Sequence, residues 1–192
     1  DATSLEISQR LGMPEKLERA ESADLGLRVL IGRQQAVVSS TDHSEDAMAE
    51  MVTRAVAMAA EGLTPDKILT PEAFSNAFRI LLAIGGSTNG LVHMTAVAGR
   101  CGIKVDMEAL DRMGQETPVL VDLKPSGQHY MEDLEKAGGL TTVMRELRSL
   151  LNLDCLTITG RTLGENLDAA PAPWAQDVVK TMNDPIFSAG GI

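Results

Sequence analysis

The sequence predicts an α/β protein in two parts: an N-terminal antiparallel strand meander plus a helix, then a helix-rich α/β segment with short buried parallel strands. β-branched and apolar stretches separated by turn residues fill the first part, while helical periodicity alternates with apolar strands in the second. Aromatic residues make up only 3% of the 192 residues, so Met, Ala and Leu must fill much of the core, which favours helices.

The strand signals lie in the first forty residues. Residues 4–11 alternate between apolar and polar positions, as in a half-buried strand. Residues 25–31 and 35–40 carry β-branched and apolar side chains, and Gly32-Arg33 between them predicts a tight turn. These features together predict an antiparallel meander.

A helix completes the first part. Met, Val and Ala recur at helical spacing over Ser44–Ala60, after capping oxygens and two acids that suit the first turn. The stretch from Gly62 to Pro65 then breaks the helix. We therefore predict two segments, residues 1–60 and residues 61–192.

The second part alternates helices with short strands, which favours a parallel sheet. The predicted helices are Pro71–Ile84, Ser87 to about Arg100, Asp106–Met113, Tyr130–Leu151 with an interruption at Gly138-Gly139, and Thr162–Leu167. The predicted buried strands are Pro118–Leu123 and Cys155–Thr159.

Charge and composition exclude several partners. The formal net charge of −10 argues against nucleic acid, because phosphate binding needs clustered Lys and Arg. The longest apolar stretch is too short to cross a membrane, and the N-terminus lacks a signal pattern, so we expect a cytoplasmic protein. Cys101 and Cys155 lie far apart without a CxxC motif, which predicts two reduced thiols.

A glycine-rich turn between two predicted helices is the most suggestive local feature. In Gly85-Gly86-Ser87-Thr88-Asn89, small residues would let a ligand approach the backbone, and the next helix offers free N–H groups to a carboxylate or phosphate. His93 follows Asn89 by one helical turn and could face the same pocket. A helix break with a Ser cap and a structural His explains the same residues without a ligand.

The loop after the first predicted buried strand is the second candidate. Lys124, Ser126 and His129 leave the end of that strand, where open α/β sheets place binding crevices, and could orient a polyol acid. A polar loop of this kind also occurs without a ligand. The chain has neither the GxSxG elbow of serine hydrolases nor the HExxH pair of zinc proteases.

Four blocks occur in a fixed order from Glu61 onward. They are Leu69–Ala77 (LTPEAFSNA), Ala83–His93 (AIGGSTNGLVH), Thr117–Gly139 (TPVLVDLKPSGQHYMEDLEKAGG) and Leu156–Asn166 (LTITGRTLGEN). Together these blocks resemble the dihydroxy-acid dehydratase/phosphogluconate dehydratase family (IlvD/Edd).

The resemblance implies loss of water from a dihydroxy acid or sugar acid, giving a 2-keto acid through an enol. It also implies an iron–sulfur cluster as Lewis acid on the departing hydroxyl, Mg²⁺, and a serine alkoxide or similar base. The family motifs that carry these groups do not occur here, and Cys101 and Cys155 lie outside them. We therefore assign no catalytic residue, metal ligand or bound cofactor to this chain, and expect it to be inactive alone.

The residues before Glu61 show a different resemblance. Leu17–Asp42 (LERAESADLGLRVLIGRQQAVVSSTD) and Val52–Ala59 resemble the N-terminal domain of the TldD/PmbA metalloprotease family, whose zinc motif is also absent here. The chain then consists of two partial family segments joined near Ala60-Glu61-Gly62.

The leading hypothesis is a dehydratase-family segment that forms part of a substrate pocket wall, with a small hydroxy acid or sugar acid as ligand. One alternative is a non-catalytic interaction or structural domain that associates with itself, as a homo-oligomer, or with a partner. A second alternative is an accessory piece of a TldD/PmbA-type protease.

Overall fold

The computed structural model describes residues 2–10, 13–124, 127–171 and 174–190, with side chains described from residue 23 onward. The chain folds into two compact units, Asp1–Leu63 and Thr64–Ile192. Antiparallel hairpins precede a helix-rich region, which confirms the predicted α/β class.

The first unit contains two hairpins and one long helix. Its elements are β1 (Ala2–Arg10), β2 (Met13–Ser22), β3 (Leu25–Ile31), β4 (Gln34–Ser40) and α1 (Glu45–Glu61). β1 pairs with β2, and β3 pairs with β4, both antiparallel, so each hairpin is its own two-stranded sheet. The predicted strand over residues 4–11 corresponds to β1, and its last residue, Leu11, lies outside the described residues.

Helix α1 is specified at both ends by its sequence. The Ser44 hydroxyl accepts a hydrogen bond from the Ala47 N–H at 3.2 Å, and Gly62 ends the helix in the left-handed conformation with φ of 61°. Met51 and Ala55 pack against Val38 of β4 to form the small core of this unit. The period of about 3.6 residues places both side chains on one face of the helix.

The second unit consists mainly of helices joined by short connections. They are α2 (Pro65–Ile68), α3 (Pro71–Ala83), α4 (Thr88–Arg100), α5 (Met107–Glu116), α6 (Met131–Lys136), α7 (Gly139–Glu146) and α8 (Leu163–Ala169), with a short 3₁₀ helix over Arg148–Leu150. Among the described residues, none of the helices has both the length and the apolar character required to span a bilayer.

The predicted strand Pro118–Leu123 lies in the core of the second unit, but it is not part of a continuous ladder. Leu120 is fully buried in the cluster that contains Val143 and Leu147. Isolated bridges join Val119 to Phe187 and Val121 to Val179, both antiparallel, while the bridge from Leu123 to His129 is parallel. The parallel pairing that we predicted is thus limited, in the described chain, to one bridge, because the chain returns beside this stretch mostly in the opposite direction.

The second predicted buried strand, Cys155–Thr159, is instead a turn, and none of its residues is buried. One antiparallel bridge joins Leu156 to Thr162. The Asn166 side-chain amide donates to the Thr157 and Thr159 hydroxyls at 2.7 and 3.0 Å. Threonine favours strands, which is why the sequence predicted one here. The threonine hydroxyls instead form the local hydrogen bonds of a turn.

Candidate functional site

The turn that joins α3 to α4 is a helix C-cap followed directly by a helix N-cap. Gly85 has φ of 62°, and its N–H donates to the Leu82 carbonyl at 3.2 Å. The Gly86 N–H donates to the Leu81 carbonyl at 2.8 Å, which completes the hydrogen-bond pattern of a Schellman motif. The left-handed φ explains the glycine at position 85 without a ligand.

Packing within α3 explains the second glycine. A Cβ atom at Gly86 would lie 2.8 Å from the Leu81 carbonyl oxygen and would also overlap the Leu81 side chain. The Ser87 hydroxyl then accepts from the Asn89 N–H at 3.1 Å and caps α4. The cap accounts for Gly85, Gly86 and Ser87, whereas the exposed side chains of Thr88 and Asn89 have no role in it.

His93 lies one turn further along α4 and is exposed. It is therefore not a core histidine. Asn89 and His93 are both accessible and share the i, i+4 relation that places side chains on one face of a helix. A ligand at the N-terminus of α4 could reach both side chains.

The second candidate, the loop from Lys124 to His129, closes on itself through the backbone. The Lys124 N–H donates to the His129 carbonyl at 2.9 Å, and the His129 N–H donates to the Asp122 carbonyl at 2.9 Å. The Lys124 ammonium lies 3.8 Å from the centre of the Tyr130 ring, a cation–π contact. Ser126 lies outside the described residues.

His129 is half-buried and opens onto a cavity of about 360 Å³. Its Nδ1 lies 4.0 Å from Oδ2 of Asp133, and the same carboxylate oxygen accepts the Tyr130 N–H at 2.8 Å. Lys136, Trp174 and Asp177 also line this cavity. Sequence reasoning missed Trp174 and Asp177, and the one available signal was that Trp174 is the only tryptophan of the chain.

The two candidate sites, the glycine-rich turn and the Lys124–His129 loop, contact or follow opposite ends of the buried stretch Pro118–Leu123. A Cβ at Gly85 would lie 3.9 Å from Cγ1 of Val119, whereas Lys124 follows the far end of the same stretch. The cavity that His129 lines contains no residue of the glycine-rich turn.

A second cavity, of about 350 Å³, was not predicted at all. Its walls are almost entirely apolar and include Phe74, Ile80, Met144 and Leu163, with Cys155 at one side. Buried Asn76 borders it, and its amide has partners on Asn152 and Cys155. Its Oδ1 accepts from the Asn152 N–H at 2.8 Å, and its Nδ2 donates to the Asn152 carbonyl at 3.0 Å and to Cys155 Sγ at 3.6 Å. No sequence motif marks such a cavity, because it arises between elements that are distant in the chain.

The described residues do not fit the iron–sulfur cluster or Mg²⁺ that the resemblance implies. Among them, no group of three or more His, Cys, Asp or Glu side chains could hold a metal ion. Cys101 is exposed and Cys155 is half-buried, and both are free thiols. Burial raises the pKa of the Cys155 thiol, and the Glu72 carboxylate raises this pKa further, which disfavours the thiolate that a cluster needs.

Comparison with known proteins identifies the class to which this fold and its motifs belong. The family model described as the dihydroxy-acid/6-phosphogluconate dehydratase N-terminal region matches residues 23–166. The chain belongs to this family of dehydratases.

Individual relatives carry two different names. The chain is 46% identical over 131 residues to a dihydroxy-acid dehydratase of Cytophaga hutchinsonii, covering 67% of this chain and 23% of that protein. It is 42% identical over 162 residues to the dihydroxy-acid dehydratase of Methanococcoides burtonii, covering 80% and 29%. It is also 42% identical over 161 residues to the L-arabonate dehydratase of Azospirillum brasilense, covering 82% and 27%. The chain thus spans about a quarter of the length of these curated relatives.

The family match extends across the segment boundary that we drew from the sequence. It begins at residue 23, so it includes residues 23–60, which we had compared with the TldD/PmbA family. These comparisons give no support to the TldD/PmbA resemblance, which stays a prediction.

Proposed function

We propose that this chain forms part of the substrate pocket wall of a dehydratase that converts a 2,3-dihydroxy acid or a sugar acid into a 2-keto acid. The observation that carries this proposal is the family match over residues 23–166. Relatives named dihydroxy-acid dehydratase and L-arabonate dehydratase are 46% and 42% identical to it, so a hydroxy acid is the expected ligand class. A cytoplasmic location is part of the same proposal.

The N-terminal end of α4 supplies the contact that we propose for the acid. Its first turn contains no acidic residue, so no internal carboxylate neutralises the positive end of the helix dipole. The exposed side chains of Thr88 and Asn89 flank this end and can hydrogen-bond to hydroxyl or carboxylate oxygens. A carboxylate is one of the groups that free N–H donors at a helix N-terminus bind.

In this proposal the chain contacts the substrate, but it does not break any of the substrate's bonds. The cluster and Mg²⁺ implied by the resemblance have no set of ligands among the described residues. The Ser87 hydroxyl already caps the helix. Thr88 and Asn89 carry a hydroxyl and an amide, and neither group is a strong base. We therefore expect the chain alone to bind hydroxy acids without dehydrating them.

Calorimetric titration of the purified chain with L-arabonate and with 2,3-dihydroxyisovalerate tests the proposal. Thr88→Val and Asn89→Ala leave the Ser87 cap in place and should each weaken binding about tenfold, the usual cost of a lost polar contact to a charged ligand. Asn183→Ala, another exposed asparagine, is the matched control and should bind normally. Absence of binding to both acids, or unchanged binding by both variants, would overturn the proposal.

A second candidate function is association through α4. Val92 and Val97 on this helix are 64% and 48% exposed. A partner surface that covered these side chains would remove their apolar area from water. Light scattering over a range of concentrations tests this function: a stable dimer that Val92→Ser dissociates would support it, and a monomer at every concentration would reject it.

A further inference from the structure

An apolar cavity and a polar cavity lie side by side in the second unit. The apolar cavity is the one of about 350 Å³ that Phe74 and Met144 line, and the polar cavity has a volume of about 410 Å³. Cys155 and Leu156 line both cavities and therefore form the boundary between them. We infer that the two cavities together bind an amphipathic cation, such as an alkylammonium ion, with its apolar body in the first cavity and its ammonium in the second.

The polar side chains of the apolar cavity are already engaged within the protein. Apart from one thiol, these side chains are Asn76 and Thr157. The Asn76 amide pairs with the backbone of Asn152. The Thr157 hydroxyl donates to the Arg161 carbonyl at 2.8 Å and accepts from the Asn166 amide at 2.7 Å. A charged group inside this cavity would lose its hydration without compensation, so the part of the ligand that enters it is apolar.

The walls of the apolar cavity are anchored in the hydrophobic cores of the second unit. Phe74 is buried in the core cluster that α3 forms with α4 and α5, whereas Ile80, Met144 and Leu163 pack against the main core. These walls are thereby arranged before a ligand arrives, which lowers the entropic cost of binding. The volume of about 350 Å³ also lies within the roughly 300–1,000 Å³ range of small-molecule sites.

The charges of the polar cavity define the charge of the ligand. Its lining contains the carboxylates of Glu72 and Asp154 and the ammonium of Lys67, so negative charge is in excess. Burial is the largest cause of the raised pKa of the Cys155 thiol, and both carboxylates raise this pKa further, so both act at the boundary of the two cavities. The excess negative charge attracts a cation and repels an anion. The formal net charge of −10 steers ligands in the same direction.

The two cavities differ in place and in ligand class from the site of the proposed function. Among the described residues, those that line the two cavities include none from the Gly85–His93 turn or from the Lys124–His129 loop. The proposed ligand here is a cation, whereas the ligand proposed for the turn is a hydroxy acid. The inference therefore does not depend on the proposed function, and each can fail without the other.

Alkylation of Cys155 reports occupancy, because this thiol lies at the boundary of the two cavities. Hexylamine, which is an ammonium ion near pH 8, should slow the reaction of Cys155 with iodoacetamide in a saturable way. Exposed Cys101 is the internal control and should react at an unchanged rate. Hexanol, which has the same chain without the charge, should protect about tenfold more weakly, and hexanoate should protect least. Mass spectrometry of the two cysteine peptides measures both rates.

Matched variants locate the ammonium and the apolar body of the ligand. Glu72→Gln should weaken protection by hexylamine severalfold without changing protection by hexanol, whereas Glu135→Gln, at an exposed carboxylate outside both linings, should change neither. Ala77→Leu fills the apolar cavity and should abolish protection by both compounds, whereas Ala96→Leu, at an exposed alanine of α4, should not.

Three results would overturn the inference. They are equal protection by hexylamine and hexanol, equal effects of Glu72→Gln and Glu135→Gln, and alkylation of Cys155 that hexylamine does not slow. Protection of Cys155 that rises with protein concentration alone would identify a second copy of the chain as the cover of the cavity, and would overturn the inference as well. If Ala77→Leu does not fold, as urea unfolding would show, the comparison of the two glutamate variants still decides.

Discussion

The two units of the chain build their cores in different ways. In the first unit, Met51 and Ala55 of a capped helix pack on Val38 of a regular hairpin. In the second unit, the fully buried Leu120 belongs to a stretch with only isolated bridges, and helices surround it. The first core follows from local periodicity, whereas the second depends on contacts between distant parts of the chain.

Side chains in the second unit replace the backbone ladder that is missing around its core. Asn76 is buried, its Oδ1 accepts the Asn152 N–H at 2.8 Å, and its Nδ2 donates to the Asn152 carbonyl at 3.0 Å. Arg145 donates to the Ala170 carbonyl at 2.7 Å, where α8 ends. Irregular segments can therefore be fixed in place when buried polar side chains satisfy their backbone groups.

Truncation of the irregular core should have the largest effect on stability. Leu120→Ala should lower the free energy of unfolding by about 3 kcal/mol, because it removes a fully buried side chain and leaves a cavity. Urea unfolding followed by circular dichroism measures this change. Leu140→Ala, at a 48% exposed leucine of the same unit, is the control and should cost less than about 1 kcal/mol. Equal costs would contradict the placement of Leu120 in the core.

Loss of the Asn76 side chain should rank second. Asn76→Ala leaves the N–H and carbonyl of Asn152 without their partner and should cost about 2 kcal/mol. Asn183→Ala, at an exposed asparagine, should change the urea midpoint little. If both variants unfold at the same urea concentration, side-chain bridging does not hold the second unit together.

Replacement by alanine at two glycines should change the stability of the chain in opposite directions. Gly86→Ala should cost about 1–2 kcal/mol, because its Cβ would overlap Leu81. Gly99→Ala should stabilise the chain by about 0.5 kcal/mol, since it lies within α4 with nothing within 4 Å of the added Cβ. Thermal unfolding of both variants shows whether each substitution stabilises or destabilises the chain. Destabilisation by Gly99→Ala would show that α4 packs differently.

The smallest expected effect concerns the two thiols. Burial raises the pKa of Cys155, so its thiol form is favoured in the folded state, and this thiol should react with iodoacetamide more slowly than exposed Cys101 near pH 8. A raised folded pKa contributes stability that is present below the ordinary thiol pKa of about 8.5 and is lost as the pH rises through the folded value. Urea unfolding should therefore show that the free energy of unfolding falls at alkaline pH, and that this fall is smaller in Cys155→Ser. Faster alkylation of Cys155 than of Cys101 would contradict its burial.

Local signals were sufficient wherever capping and periodicity determine an element. The prediction for residues 25–31 coincides with β3, Pro71 begins α3 as predicted, and Ser87 caps α4. At these positions the side chain that caps or pairs lies within a few residues in sequence. The structure adds that Gly85 and Gly86 form a helix C-cap, which was the alternative that spacing alone left open.

Long-range contacts account for what the sequence could not show. The apolar stretch at residues 118–123 indicated a buried strand, but its mostly antiparallel bridges come from segments after residue 175 that carry no strand signal. The position of Trp174 beside Gly138 was equally hidden, because it depends on how the chain returns to α6. Periodicity reports which face of an element is buried, and it does not report which distant segment covers that face.

The buried stretch also sets the order in which the second unit can form during synthesis. The Leu120 N–H donates to the Ala83 carbonyl, and the Val119 carbonyl accepts from the Ile186 N–H. One short stretch thus needs partners on both sides of it in sequence, and the later partner leaves the ribosome long after the stretch itself. The hairpin β3–β4 and α1 can pack as soon as the first unit has emerged, whereas the core of the second unit waits for the segment around Ile186.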